Sequence, residues 1–137
     1  RWPNGGNAGW PSWAFENHDA PRAVSRWVEP DHAAQFARTK MLLLAALRGS
    51  IILYQGEELG LTQVEVPFEL LQDPEAIANW PQTLSRDGVR TPIPWCACEP
   101  GHGFTEGRPW LPFGSDHAPL SVDAQAEHKN SLLHFTR

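Results

Sequence analysis

Gly49-Ser50-Ile51-Ile52-Leu53-Tyr54 follows directly on an Ala- and Leu-rich segment, residues 32–48, and this pairing decides the fold class. The run 50–54 is continuously apolar rather than alternating, as expected of a strand buried on both faces of a parallel sheet. The segment before it predicts a helix. Phe36, Leu43 and Leu47 recur at helical spacing with Leu44 beside them, Pro30-Asp31 is a start signal with Asp31 as N-cap, and Gly49 is the stop. Upstream, Gly9-Trp10-Pro11-Ser12-Trp13 suits a second short buried strand, ending at Phe15-Glu16-Asn17-His18-Asp19. Strand, helix, strand is one parallel crossover unit, so Asn17-His18-Asp19 and Gln55-Gly56-Glu57-Glu58 are expected at the same edge of the sheet. In a parallel α/β barrel the carboxyl ends of the strands hold the chemistry. The Asn-His-Asp triplet also suits an Asx turn, since Asn and Asp bond nearby backbone.

The chain has 137 residues, enough for one modest domain and too few for an eight-stranded α/β barrel of ~250 residues. Arg1-Trp2-Pro3 lacks an initiator Met, and Leu132-Leu133-His134-Phe135 reads as a helix stopping after barely two turns, so both ends are expected to be cut. A formal charge of −5 with no basic stripe argues against a nucleic-acid partner, whose affinity rests on Lys and Arg. No apolar run approaches the ~20 residues that span a bilayer, so no membrane partner is expected. Residues 21–27 suit a helical turn. Residues 62–120 carry most of the Pro and Gly and only one short helical candidate, near 66–71; so long a loop suggests function. Asn130 is the expected cap of the last helix. Cys96 and Cys98, one residue apart, are expected as free thiols, and with His102 they fall short of a zinc pattern.

Four motifs in order carry a resemblance. Phe15-Glu16-Asn17-His18-Asp19 with Pro21-Arg22, then Tyr54-Gln55-Gly56-Glu57-Glu58-Leu59-Gly60, then Arg86-Asp87-Gly88-Val89-Arg90-Thr91-Pro92-Ile93-Pro94-Trp95, then Gly103-Phe104-Thr105 with Pro109-Trp110-Leu111-Pro112 resemble the α-amylase superfamily in its α-glucosidase and oligo-1,6-glucosidase branch. The resemblance implies an α/β fold: a partial (β/α)8 TIM barrel, the last two strand-helix units, with a long irregular loop after the final strand. Residues 1–137 would then be the C-terminal segment of the catalytic barrel, truncated at both ends.

The same resemblance implies a retaining α-glucosidase acting on terminal α-linked glucose. Such enzymes need a carboxylate nucleophile and a carboxylic acid about 5–5.5 Å apart. The family draws both from strands ahead of this segment, so the chain alone is expected to be inactive. Asp19 matches the third carboxylate, the transition-state stabiliser, and His18 its hydrogen-bonding neighbour. Arg86 matches a residue closing the pocket around the terminal glucose. Asn17, Arg22 and Glu57 are expected as supports, and Arg90 as a loop anchor. No metal or cofactor is implied; the expected partner is a maltose- or isomaltose-like oligosaccharide, and the isolated segment is expected to self-associate through its unpaired sheet edges. The alternative reading is a non-catalytic carbohydrate-binding module, which would also carry exposed Trp but would be built from antiparallel, alternating strands.

Overall fold

The computed structural model describes residues 9–83, 85–98 and 100–137. Its frame is a parallel pair, β1 (Ser12–Trp13) and β2 (Ser50–Ile51), in register Ser12 to Ser50 and Trp13 to Ile51. The ladder closes through Ser50 N–H to Pro11 O at 2.8 Å and Ile52 N–H to Trp13 O at 2.9 Å. Between the strands lie α1 (Ala23–Trp27) and α2 (Ala33–Ala46). Parallel pairing around a helical crossover argues against the antiparallel module, and it sets residues 14–19 and 52–57 beyond the carboxyl ends of neighbouring strands.

Both strands are shorter and more exposed than the sequence predicts. Trp13, Ile51, Ile52 and Leu53 all stand in solvent, Ile52 at 55%. The expectation of strands buried on both faces is not met: both residues of each strand are exposed. A cleft of about 210 Å³ bordered by Met41, Leu44, Ile51 and Phe135 also leaves α2 incompletely seated on β2.

α2 buries Ala37, Lys40, Met41 and Leu44, an i, i+3, i+4, i+7 stripe. Leu43, expected inward, faces solvent, and Asp31 belongs to a 3-10 turn (Pro30–His32), so the N-cap is His32. Trp27 meets Phe15 and Phe36 edge-on, at ring separations of 5.9 and 6.0 Å, and so joins the end of β1 to α2.

Residues 62–120 are more ordered than their composition suggests. Val64, Val66, Leu71, Ala76 and Leu111 form one small core, and Leu59, Leu61 and Leu133 form another. The candidate near 66–71 is a 3-10 turn, Phe68–Leu70, and α3 (Pro74–Ala78) follows with Asp73 as its N-cap. Gly88 lies where a Cβ would collide with the Val64 carbonyl and the Gln63 amide, so only Gly permits the Val64 N–H to Gly88 O bond of 3.1 Å.

The chain ends in α4 (Val122–Ala126) and α5 (Leu132–Thr136). The cap of α5 is Ser131, whose Oγ accepts His134 N–H at 3.1 Å, rather than the expected Asn130. Buried Gln125 pins this corner: its Nε2 donates to Leu59 O at 2.8 Å and Leu120 O at 3.0 Å, and its Oε1 accepts Leu133 N–H. The sulfurs of Cys96 and Cys98 are in contact, where free thiols are expected, across a bend at 96–97 that brings the two residues close. Among the described residues no helix is long and apolar enough to cross a membrane.

Candidate active site

Beneath the two strand ends sits a buried group of four charges. Glu16 Oε2 accepts from Arg22 Nη1 at 3.1 Å, and Glu16 Oε1 accepts from Lys40 Nζ at 2.7 Å. Lys40 Nζ also lies 2.8 Å from Glu57 Oε1, an ion-pair distance without hydrogen-bond alignment. All four side chains are at most 1% exposed. Buried charge is costly unless paired and hydrogen-bonded, and the remaining valences are largely filled by backbone. Glu16 Oε1 takes Ala23 N–H at 3.1 Å, Glu57 Oε2 takes Tyr54 N–H at 3.0 Å, and Arg22 donates to Gln55 O at 2.6 Å and Val89 O at 3.2 Å. Arg22 and Glu57 therefore lie in this buried frame. Glu16 and Lys40 complete it and were not singled out from sequence, although Lys40 interrupts the apolar 37/41/44 stripe of α2.

Asp19 stands above this frame with its side chain 53% exposed. Asn17 shapes the approach as an Asx turn, its Oδ1 accepting from Asp19 N–H at 2.8 Å and Ala20 N–H at 3.0 Å. Asp19 Oδ1 is shared by Arg90 Nη2 at 3.1 Å and Arg86 Nη1 at 3.4 Å, and His18 Nε2 lies 3.4 Å from Oδ2. The structure thus brings Asn17, His18, Asp19, Arg86 and Arg90 together at one strand edge. Arg90 anchors a particular loop: its Nε donates to His18 O at 2.8 Å while its Nη2 reaches Asp19.

Arg86 is held from behind by Asp73, a residue the sequence reading passed over. Nε donates to Asp73 Oδ2 at 2.9 Å and Nη2 to Oδ1 at 2.6 Å, a two-pronged fork, and Arg86 N–H adds a bond of 3.0 Å to Oδ2. Asp87 reciprocates, its Oδ2 accepting Gln72 N–H at 2.6 Å and Asp73 N–H at 2.8 Å. The guanidinium beside Asp73 holds that carboxyl well below the usual carboxylate range, and Asp73 in turn raises Arg86. Asp73-Pro74 is an N-cap followed by Pro at the first helical position, a signal that was available in the sequence. Chemically, the assembly offers one solvent-facing carboxylate with free acceptor capacity, an adjacent imidazole and two immobilised guanidinium groups, a set suited to neutral polyols.

A family model for the alpha-amylase catalytic domain matches residues 2–137. The chain belongs to the alpha-amylase family. The fold of that catalytic domain is the TIM barrel. A probable alpha-glucosidase of Rhizobium meliloti is 46% identical over 131 residues, which is 94% of this chain and 23% of that protein. Oligo-1,6-glucosidase of Parageobacillus thermoglucosidasius is 34% identical, over 93% of this chain and 26% of its own length. The crystal structure of an alpha-glucosyl transfer enzyme, XgtA, superposes with a TM-score of 0.88 at 51% identity, covering 93% of this chain and 24% of that one. The chain thus spans about a quarter of the length of these alpha-amylase-family relatives.

Two outcomes follow from this geometry. Lys40→Met takes the facing cation from buried Glu57 and leaves Glu16 with Arg22 alone, and is expected to cost about 3–5 kcal/mol in urea unfolding. Adding Glu57→Gln to that variant should recover part of the loss, and strict additivity would contradict the shared-charge account. Because Asp73 is depressed in the folded state, its contribution to stability is complete above the ordinary Asp pKa of about 3.9 and is lost as pH falls below it. The urea midpoints of the parent and Asp73→Asn should therefore differ at pH 7 and converge toward pH 2, whereas a gap constant with pH would contradict the ion-pair origin.

Proposed function

We propose that the chain is part of a retaining α-glucosidase: the last two strand-helix units of the catalytic barrel and the loop after the final strand, with residues 1–137 a segment of that one domain. The observation that carries this reading is the half-exposed Asp19 carboxylate, held by two arginines beside His18 at the ends of parallel strands in an alpha-amylase-family chain. Asp19 serves as the transition-state stabiliser, accepting hydroxyl hydrogen bonds that tighten as the sugar ring flattens, the differential binding that catalysis requires. His18 binds the same hydroxyls. Arg86, fixed by the Asp73 fork, forms the wall that dead-ends the glucose pocket.

Asn17 holds the turn, while Arg22 and Glu57 support it from the buried charge group. The nucleophile and the acid come from elsewhere in the barrel, so the chain by itself does not turn over an aryl α-glucoside. The substrate is a maltose- or isomaltose-like oligosaccharide, and the chemistry asks for no cofactor. The exposed Ile51 to Leu53 run makes the isolated chain self-associate, which sedimentation at micromolar concentration checks.

In the full-length enzyme, Asp19→Asn is expected to lower kcat and kcat/KM together by about 10²–10³-fold. Arg86→Lys, which keeps the charge and loses the fork, should act mainly through KM. Steady-state kinetics on maltose and isomaltose decide the matter: an Asp19→Asn enzyme with kcat intact would sink the assignment.

A further inference from the structure

Cys96 and Cys98 lie on a turn that belongs neither to the buried charge group nor to the Asp19 cluster. Residues 95–98 fold back on 101–105: Trp95 N–H and Cys96 N–H donate to His102 O at 2.8 and 3.1 Å, and His102 N–H donates to Cys98 O at 3.0 Å. Gly103 has a φ of +70°, and a Cβ there would come within 3.3 Å of Cys96 Sγ, so glycine lets the turn close on the sulfur. With the backbone set this way the two Cα atoms are 5.2 Å apart, inside the roughly 4.4–6.8 Å that a disulfide spans, and the sulfurs touch.

Exposure and loop size decide what such a pair does. Cys98 is exposed and Cys96 half-buried, so a small disulfide or thiol meets the pair from solvent. A bond between residues two apart closes a minimal loop and removes little entropy from the unfolded chain, so it lacks much of the stabilisation that a long-range crosslink brings. Exposed bonds are also the ones that exchange readily. The turn is clipped to the C-terminal corner as well. Ala97, between the cysteines, donates its N–H to Asp123 Oδ1 at 3.2 Å, and Val122 and Asp123 of α4 donate to the carbonyls of Pro94 and Trp95, both at 3.0 Å.

We propose that Cys96 and Cys98 form a reversible dithiol–disulfide site that exchanges with low-molecular-weight disulfides and, when closed, locks this turn onto α4. Cys98, the exposed one, attacks as a thiolate on one sulfur of the incoming disulfide, whose S–S bond breaks and releases one thiolate. Cys96 then attacks the Cys98 sulfur and expels the second thiolate. Two cysteine thiols give up two electrons and two protons, and one small disulfide becomes two thiols, so no further oxidant is needed. An excess of the small thiol runs both steps backwards.

Glutathione buffers of varied oxidised-to-reduced ratio, applied to the full-length enzyme, test this. After acid quenching and maleimide labelling, mass spectrometry reads the peptide that carries both cysteines. It should pass from two maleimides to none as the ratio rises, and reduced glutathione should reverse the change. Cys96→Ser should stop at the mixed disulfide, with one glutathione on Cys98. Amide exchange of the same peptide should be slower in the closed form, because the clips to Asp123 and α4 open less often. Two maleimides at every ratio, glutathione on both sulfurs, or a pair that stays closed in excess reduced glutathione would overturn the site. Equal amide exchange in the open and closed forms would overturn the lock.

Discussion

Two carboxylates and two cations buried together hold this structure in place. Glu16, Arg22, Lys40 and Glu57 come from the end of β1, the approach to α1, the inner face of α2 and the loop after β2, and losing any one leaves the charge buried with the other three less fully compensated in low dielectric. The apolar cores are small and divided, so the relative placement of these four segments depends on charge pairing more than on packed area. A sheet of two short strands would not fix it. Replacing such a group by apolar side chains is often tolerated energetically, but its directional bonds specify one register of the loops.

From this group the constraints pass outward in order. Arg22 reaches the Val89 carbonyl and so ties the 86–90 turn to the strand ends. Asp73 and Asp87 clasp each other's segments, which aims Arg86, and Arg90 grips the His18 carbonyl. The five carboxylates of this assembly are chemically alike and differ in what surrounds them. Glu16, Glu57, Asp73 and Asp87 are enclosed and serve the fold, whereas Asp19 keeps half of its surface in water and can serve a ligand.

Much of this was legible in the sequence. The continuous run after an Ala- and Leu-rich helix gave the parallel crossover, and the clustering of Asn17, His18 and Asp19 at a strand end followed from it. The four ordered motifs named the family that the match to the alpha-amylase catalytic domain then established. What stayed hidden was long-range pairing. Lys40 reads as a solvated helix charge until two glutamates from other segments meet it, and Asp73 reads as a helix cap alone until Arg86, thirteen positions on, forks it. The inward face of α2 was misjudged because Leu43 and Leu44 are equally apolar, and only the position of the charge group selects Leu44. Strand burial was overestimated because a run of β-branched residues reports the environment a strand needs and cannot report which neighbours are present.

The central claim is that Asp19 acts on the glucose ring itself, and it is tested most directly by a crystal structure of the full-length enzyme with a cationic aminosugar that mimics the oxocarbenium ion. The account predicts Asp19 carboxylate oxygens at about 2.6–3.2 Å from hydroxyls of the bound ring, with Arg86 still forked to Asp73. A ring bound with Asp19 more than about 4 Å from every hydroxyl, beyond any hydrogen bond, would contradict it.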